Sequence, residues 1–479
     1  MAQYPGFIGP SYVSQSYMAD SERLVNRYAE KNESDTAPSP WWLVPCPGFA
    51  LVVAPTAAAG GGMFSQAGRT FFVTGPVLYE LNSDDTTTVR STAAILRDGN
   101  PVTFMSNGDA GGQLGLTSGD QFYVLDLTTN SFTTVLTSGA TMCGFLDGFG
   151  FILDASTSTV QQTAFENFAA INPAEIAQRT AGSDPWVALY VINRLVYLLG
   201  ERTSEVWWNA GTAPFTLAPI QEAFMQQGCA APFSGARLGT ALIWLSHNDQ
   251  GRGQIVSATG YTPGRVSTHA VEASISSYGD LSNAVAFSYQ ENGHTHYILT
   301  FADPERTWAY DQATGLFHER LYWDTRTAQW LAYRPLFACS DATRNLVQDR
   351  LTGAIYRMST DLFTDVDGAY IRRLRQPPRL SFDQKRFVTH SIQIVMDVGQ
   401  GLQTGQGSNP QIMRETSKDG GRTWGNEQWV GSGAVGAYDT RVRWTQCGQA
   451  RNRCDRFIDT DPVPSRFVDA LIDVTVGPS

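Results

Sequence analysis

The residues best able to do chemistry lie in four places: the run Ser417-Lys418-Asp419-Gly420-Gly421-Arg422-Thr423-Trp424, the pair His294-x-His296, the arginines Arg372, Arg373, Arg375 and Arg379 around Pro377 and Pro378, and the glycine-rich stretch Gly399 to Gly405. The first reads S-x-D-x-G-x-T-W, with Ser417, Asp419, Gly421, Thr423 and Trp424 at the specified positions. An aspartate there can accept backbone N–H groups in a tight turn, the glycine can supply a positive φ, and the tryptophan can lock the hairpin onto its sheet. That chemistry is structural, and a buried Trp424 ring would make Trp424→Ala cost about 3–5 kcal/mol. Two imidazoles two residues apart share one face of a strand, which a metal can use. No third His, Cys or Asp stands at a recognisable spacing, so an ordinary hairpin edge is expected and no metal site. The arginines could hold phosphate or a partner's acidic patch, but a solvated or interface-facing turn is the expectation. Gly399 to Gly405 follows a strand without leading into a helix, so the geometry that cradles phosphate fails.

The S-x-D-x-G-x-T-W pattern matches the Asp box of sialidase-like β-hairpins, which marks a fold and lies away from catalytic centres. Glycosidic chemistry would need an arginine cluster, a tyrosine and a carboxylate pair, and no spacing here selects them. G-x-S-x-G, H-E-x-x-H and Walker sequences are absent from the chain. No catalytic residue, no cofactor and no enzymatic activity are therefore expected.

The elements that must position these residues read as short strands. From 66 to 365 one pattern returns: a turn rich in Gly, Asp or Asn, an alternating strand carrying an aromatic, then a second turn. The aromatics Tyr79, Tyr123, Tyr197, Trp244, Tyr297 and Tyr356 stand 44, 74, 47, 53 and 59 residues apart, and Phe151 falls inside the long step. Most intervals lie near the roughly 40–50 residues of a four-stranded propeller blade. The fold class expected is all-β, a β-propeller of about six blades with an additional carboxyl-terminal β region; a β-sandwich array shares the same strand spacing. Residues 1–65 read as an amino-terminal arm and entry segment. Within them Ser21 to Glu30 is either a helical turn or an extended arm, and Ala57 to Gly62 reads as a flexible connection. Two inserts interrupt the blades, Asn167 to Ala177, read as a helical turn, and Pro219 to Gly235. Residues 366–479 read as the carboxyl-terminal β region with the Asp-box hairpin, either closing or docking on the propeller.

Composition narrows the classes further. Hydrophobic residues make up 42% of the 479, which excludes a disordered chain, while charged residues at 16% fall below the usual share and leave outer surface for partners. The net charge of −11 argues against a protein that grips nucleic acid through neutralised phosphates. Of 34 basic residues only Lys31, Lys385 and Lys418 are lysines; the rest are arginine, the residue suited to planar bidentate contacts. Six cysteines without a CxxC pair fit reduced thiols. No apolar run approaches the length of a membrane span and the amino terminus lacks a signal-peptide pattern, so a product that stays in the cytoplasm where it is made and no stable membrane insertion are expected.

At the carboxyl end several motifs fall in order: Gly405-Gln406-Gly407-Ser408-Asn409-Pro410-Gln411, the Asp box, Tyr438 to Trp444, Gly448-Gln449-Ala450-Arg451 and Asp461-Pro462-Val463-Pro464. With Asn26-Arg27-Tyr28-Ala29-Glu30 and Pro45-Cys46-Pro47-Gly48 near the start, the chain resembles the tail nozzle or hub proteins, the packaged-DNA stabilization proteins, of short-tailed bacteriophages. Arg27 and Ala29 depart from that family's opening, where an aromatic and a proline are usual. The resemblance implies a hexameric ring of propeller subunits in the virion tail, below the portal-associated adaptor protein. It further implies that the ring retains packaged double-stranded DNA, passes it without stable binding during ejection, and holds a needle or plug and tailspike or fibre proteins. A phage carbohydrate-binding or carbohydrate-cleaving propeller is the alternative carried by the Asp box.

Overall fold

Tight turns set the architecture. The dipeptides Ala67-Gly68, Gly119-Asp120, Asp147-Gly148, Asn193-Arg194 and Asn292-Gly293 all take positive φ at both positions. That backbone matches the right-handed twist of two strands and joins them as a two-residue hairpin. The computed structural model describes residues 1–477 except 17, 35, 38, 180, 250 and 342, with the backbone alone at 252; residues 478 and 479, at the end of the expected carboxyl-terminal region, lie outside it.

The hairpins stack into antiparallel sheets. Five follow one another along the chain, over 60–89, 103–136, 142–178, 186–225 and 228–265, and a sixth combines Pro335–Ser340, Asn345–Asp349 and Ile355–Ser359 with Gly48–Val53. A further four-strand unit over 285–319 fills the circle before the last blade and continues through its outer strand into a larger sheet. The innermost strands neighbour one another in turn around the circle. This is the expected all-β propeller: six blades stand as separate sheets, and the unit 285–319 is shared with the carboxyl-terminal region. The sequence aromatics distribute one to each blade, with Tyr297 in the shared unit.

Burial follows from this stacking. Middle strands are covered on both faces by adjacent blades, so Leu195–Gly200 and Ala241–Asn248 are almost wholly buried. Outer strands, covered on fewer sides, are largely exposed or half-buried. Asn167–Gln178, expected as a helical turn, is such an outer strand. It pairs through an irregular register with Thr159–Ala164, and Pro173 is tolerated because it lies on the edge. Much of the second insert is likewise the outer strand Leu217–Met225, followed by Gly228–Cys229 in the next blade.

Residues 1–65 form no separate arm. Gly48–Val53 is the outer strand of the last blade, paired antiparallel with Ile355–Ser359, and Gly60–Gln66, which begins inside the flexible connection expected over Ala57 to Gly62, is the innermost strand of the first. Glycines suit that inner position because Gly60 and Gly62 leave no room for a Cβ: one would stand 2.7 Å from the Asp349 carbonyl oxygen, the other 2.9 Å from that of Val102.

Upstream, Ser21–Val25 and Arg27–Lys31 are strands of a carboxyl-terminal β-sandwich. One of its sheets holds Arg27–Lys31, Trp41–Pro45, Phe467–Val476, Phe387–Met396 and Val442–Thr445; the other holds Ser21–Val25, Arg373–Gln376, Asn452–Asp459, Gln411–Ser417 and Gln428–Gly431. Phe7, Leu24, Ile392, Ile412, Trp444, Phe457 and Phe467 fill the space between them. A parallel bridge from Val25 to Glu319 fuses the second sheet to the propeller unit 285–319. The six cysteines are free thiols. Among the described residues no helix is long and apolar enough to cross a membrane.

Candidate assembly site at the propeller–sandwich junction

The chain crosses from one sandwich sheet to the other at Asn26, which takes φ 54°. Asparagine tolerates that left-handed backbone better than other side chains bearing a Cβ. Its amide then bonds three ways: Nδ2 donates to the carbonyls of Leu321 and Arg372, both at 2.8 Å, and Oδ1 accepts from the Leu321 N–H at 3.0 Å. One buried side chain thus ties the amino-terminal strands, the propeller's last third and the sandwich together.

Arginines extend the same tie. Arg27, Arg320, Arg373, Arg375 and Arg453 are fully buried. Arg27 and Arg373 converge on Asp459, and the Arg27 guanidinium lies 3.9 Å from the centre of the Phe467 ring. Arg375 pairs with Glu22 at 2.8 Å and donates to the carbonyls of Gly6, Phe7, Gly9 and Pro10, which holds the first ten residues against the sandwich. Arg453 makes a bidentate pair with Asp455. A planar guanidinium with five fixed donors can meet several carbonyls at once, which a lysine cannot.

The expectation of a solvated or interface-facing turn at Arg372 to Arg379 is therefore corrected to a buried strand. The strand Arg373–Gln376 sits between Ser21–Val25 and Asn452–Asp459, so alternation cannot turn its arginines to water. Arg379 is partly buried and donates to Asn452 and the Met18 carbonyl, and Arg372 stacks 4.3 Å from the Trp323 ring centre.

In the Asp box, Asp419 Oδ1 accepts from the Arg422 and Thr423 N–H groups at 2.9 and 3.0 Å, and Oδ2 accepts from the Thr423 hydroxyl at 2.6 Å. Ser417 Oγ donates to Asp419 and accepts from the Gly421 N–H at 2.8 Å. Gly420 and Gly421 take φ 80° and 94°. The hydrogen bonds from Ser417 and Thr423 hold the Asp419 carboxyl far below the usual carboxylate range. Trp424 is half-buried, and the Arg456 guanidinium caps it at 4.2 Å.

Beside the box lies a cleft of about 580 Å³ whose walls include Arg306, Trp323, Trp330, Arg372 and Arg456. Arg306 and Arg456 also line an adjoining cleft with Trp308, Glu319 and Trp424. The acidic groups lining the two are engaged: Glu305 faces Arg350 at 2.8 Å, and Glu319 faces Arg23 at 2.6 Å. Burial pushes Glu319 up, but Arg23 and the Ser11 hydroxyl more than offset it and hold the carboxyl below its ordinary range. The cleft offers guanidinium and indole faces, suited to stacking and to anionic or planar groups.

The glycine-rich loop folds back on itself, Leu402 donating to the Gly407 carbonyl, and packs against 432–438. Leu402, Val435 and Tyr438 project from this end of the sandwich, Tyr438 being 71% exposed. His294 and His296 are buried on one face of the unit 285–319, facing the amino-terminal hairpin rather than a hairpin edge in solvent. The hydrogen bond that His294 donates to Asp311, reinforced by the one to Glu30, pushes His294 up to about 8 against the opposing effect of burial. Burial and the Arg320 charge hold His296 well below the ordinary imidazole range.

Sequence reasoning missed Asn26 as a corner, the Arg27–Asp459 and Arg375–Glu22 pairs, and the tryptophan-lined cleft. The one available signal was the near-exclusive use of arginine over lysine.

Comparison with known proteins bears on the whole chain. A search of the curated proteins found no match. Solved structures with a similar arrangement include BamB from Moraxella catarrhalis, at 11% identity over 69% of this chain and 96% of that one, TM-score 0.39. The amino-terminal domain of Nup159 is similar at 11% identity over 71% and 99%, TM-score 0.40, and the extracellular domain of BT4673 from B. thetaiotaomicron at 9% over 85% and 57%, TM-score 0.42. Two family models, described as the β-propeller and the β-sandwich of bacteriophage P22 Gp10, match residues 12–363 and 372–475. Since the two matches follow the propeller and the sandwich found here and span nearly the entire chain, it belongs to the P22 Gp10 family of structural proteins of short-tailed phage tails.

Proposed function

We propose that this tail protein forms the nozzle or hub ring that retains packaged DNA, conducts it during ejection and anchors further tail proteins. Membership of the P22 Gp10 family over both propeller and sandwich carries the reading. The ring is a homohexamer set beneath the portal-associated adaptor protein, with a needle or plug closing its channel and tailspike or fibre proteins on its outside. Two properties fit a conduit. The chain is acidic overall, and its most buried arginines are bonded to internal carboxylates and carbonyls, not arrayed as a basic stripe. Particles assembled without the protein should lose packaged DNA, and imaging of intact tails should find it as a sixfold ring. Full DNA retention in its absence would overturn the proposal. The cleft of tryptophan and arginine beside the Asp box favours a second reading, carbohydrate binding, which glycan binding by the isolated chain would support.

A further inference from the structure

One face of the propeller unit 285–319 gathers three donors from two strands. His294 and His296 lie two apart on the strand His294–Phe301, and Asp311 on Arg306–Asp311 is the register partner of His296. Alternation and cross-strand pairing therefore put all three side chains on one face. Their ligand-capable atoms all lie within 4.8 Å of one another, and all three residues are buried. Tyr28, from the amino-terminal strand Arg27–Lys31, covers them with its ring 5.0 Å from that of His294 and 5.2 Å from that of His296.

Two observations set this group apart from an ordinary hydrogen-bonded histidine. His294 is held from both sides, Nε2 lying 2.6 Å from Glu30 Oε2 and Nδ1 2.8 Å from Asp311 Oδ2. A neutral imidazole has one N–H and can donate to only one of two carboxylates. The other contact requires a cation, either a second proton or a metal ion. A proton would satisfy His294 but leave His296 as it stands, 2% exposed with Nδ1 buried and without a hydrogen-bond partner. An ion shared by His294, Asp311 and His296 engages all three.

We propose that His294, His296 and Asp311 bind a divalent transition metal of the zinc type, with Glu30 orienting His294 from behind. Two imidazoles and one carboxylate suit a borderline ion such as zinc. Zinc–ligand distances of about 2.0–2.2 Å set tetrahedral ligands roughly 3.3 Å apart, so the His294–Asp311 contact widens by about half an ångström and wider pairs close. A metal-bound histidine usually donates its other N–H to a carboxylate, the place Glu30 takes. A cleft of about 220 Å³ reaches Tyr28 and Glu30, the residues that cover the group, and is also lined by Trp42 and Asn292. The ion joins two strands of the propeller and, through Glu30, the strand Arg27–Lys31 of the sandwich, so it acts as a clasp between the two parts.

The test uses the full-length chain, stripped with a chelator and titrated with Zn²⁺ by calorimetry and with Co²⁺ by visible absorbance. We expect one equivalent of metal per chain, a tetrahedral cobalt spectrum and a raised thermal midpoint. His296→Ala should abolish stoichiometric uptake, Glu30→Gln should weaken affinity about 10–100-fold, and His390→Ala, an exposed histidine elsewhere, should change nothing. Failure of the wild-type chain to take up one equivalent would overturn the proposal without recourse to any variant. Unchanged uptake in folded His296→Ala would overturn it as well.

Discussion

Trp424 is the residue whose burial decides what its motif is worth. The ring is half-buried and capped by Arg456, so its removal loses partial burial and one cation–π contact while leaving no core cavity. Trp424→Ala should therefore cost about 1–2 kcal/mol, below the 3–5 of a fully buried aromatic. Thermal unfolding checks this, and a cost in the upper range would mean that the ring carries more of the junction than its exposure indicates. Asn26 is the opposite case, small but bonded three ways at a positive φ. Asn26→Ala strands buried carbonyls and an N–H and places a Cβ residue in the left-handed region, a loss of about 2–4 kcal/mol by denaturant unfolding. The Asp box is legible in the sequence because its partners stand within four positions of Asp419. The Arg27–Asp459 pair spans 432 positions, and no local pattern announces such a contact.

Among the elements, strands and turns can be read from the alternation and the Gly, Asp and Asn punctuation, whereas strand destination cannot. Ser21 to Glu30 offers a period consistent with several states, and only the sandwich sheets that receive it decide for two strands joined at Asn26. Asn167–Gln178 reads as helical because of its alanines; its partner Thr159–Ala164 overrides that propensity. Gly48 marks the start of the strand that completes the last blade. A Cβ there would stand 2.5 Å from the Leu362 carbonyl oxygen, and its N–H donates to that oxygen at 2.9 Å. Gly48→Ala should push the strand from the backbone of Leu362 and Phe363 and lower the thermal midpoint, whereas Gly293→Ala, with open space around the position, should act only through its positive φ. The turn after that blade adds a pH dependence. Asp365 caps Val366–Gly368, and burial pushes its carboxyl up to about 7 despite the Val366 N–H and nearby Arg334 and Arg373. An unfolded aspartate titrates near 4, so between about 4 and 7 the folded state holds the extra proton and stability from this group falls as pH rises. Asp365→Asn, which keeps the acceptor, should remove that part of the slope; an unchanged profile of unfolding midpoints across this window would refute the assignment.

At the scale of the whole molecule, closure is the property that local reading cannot supply. The first blade's inner strand follows directly on the last blade's outer strand, and the same amino-terminal stretch supplies two sandwich strands, so neither part is complete without residues 1–65. Composition does speak at this scale, through charge. At −11 the chain repels a polyanion on average, and many of its arginines are occupied internally. A ring of such subunits would hold DNA by geometry and by what plugs it, and would let DNA slide when opened. Each phosphate neutralised by a basic side chain steepens the fall of affinity with salt by a slope of about 0.9, so a gripping channel would betray itself by steep salt dependence and a sliding one by weak binding throughout. Purified protein should accordingly bind duplex DNA weakly and without sequence preference at moderate salt, while particles lacking it lose their DNA. Tight, sequence-selective binding by the isolated chain would replace retention by geometry with retention by grip.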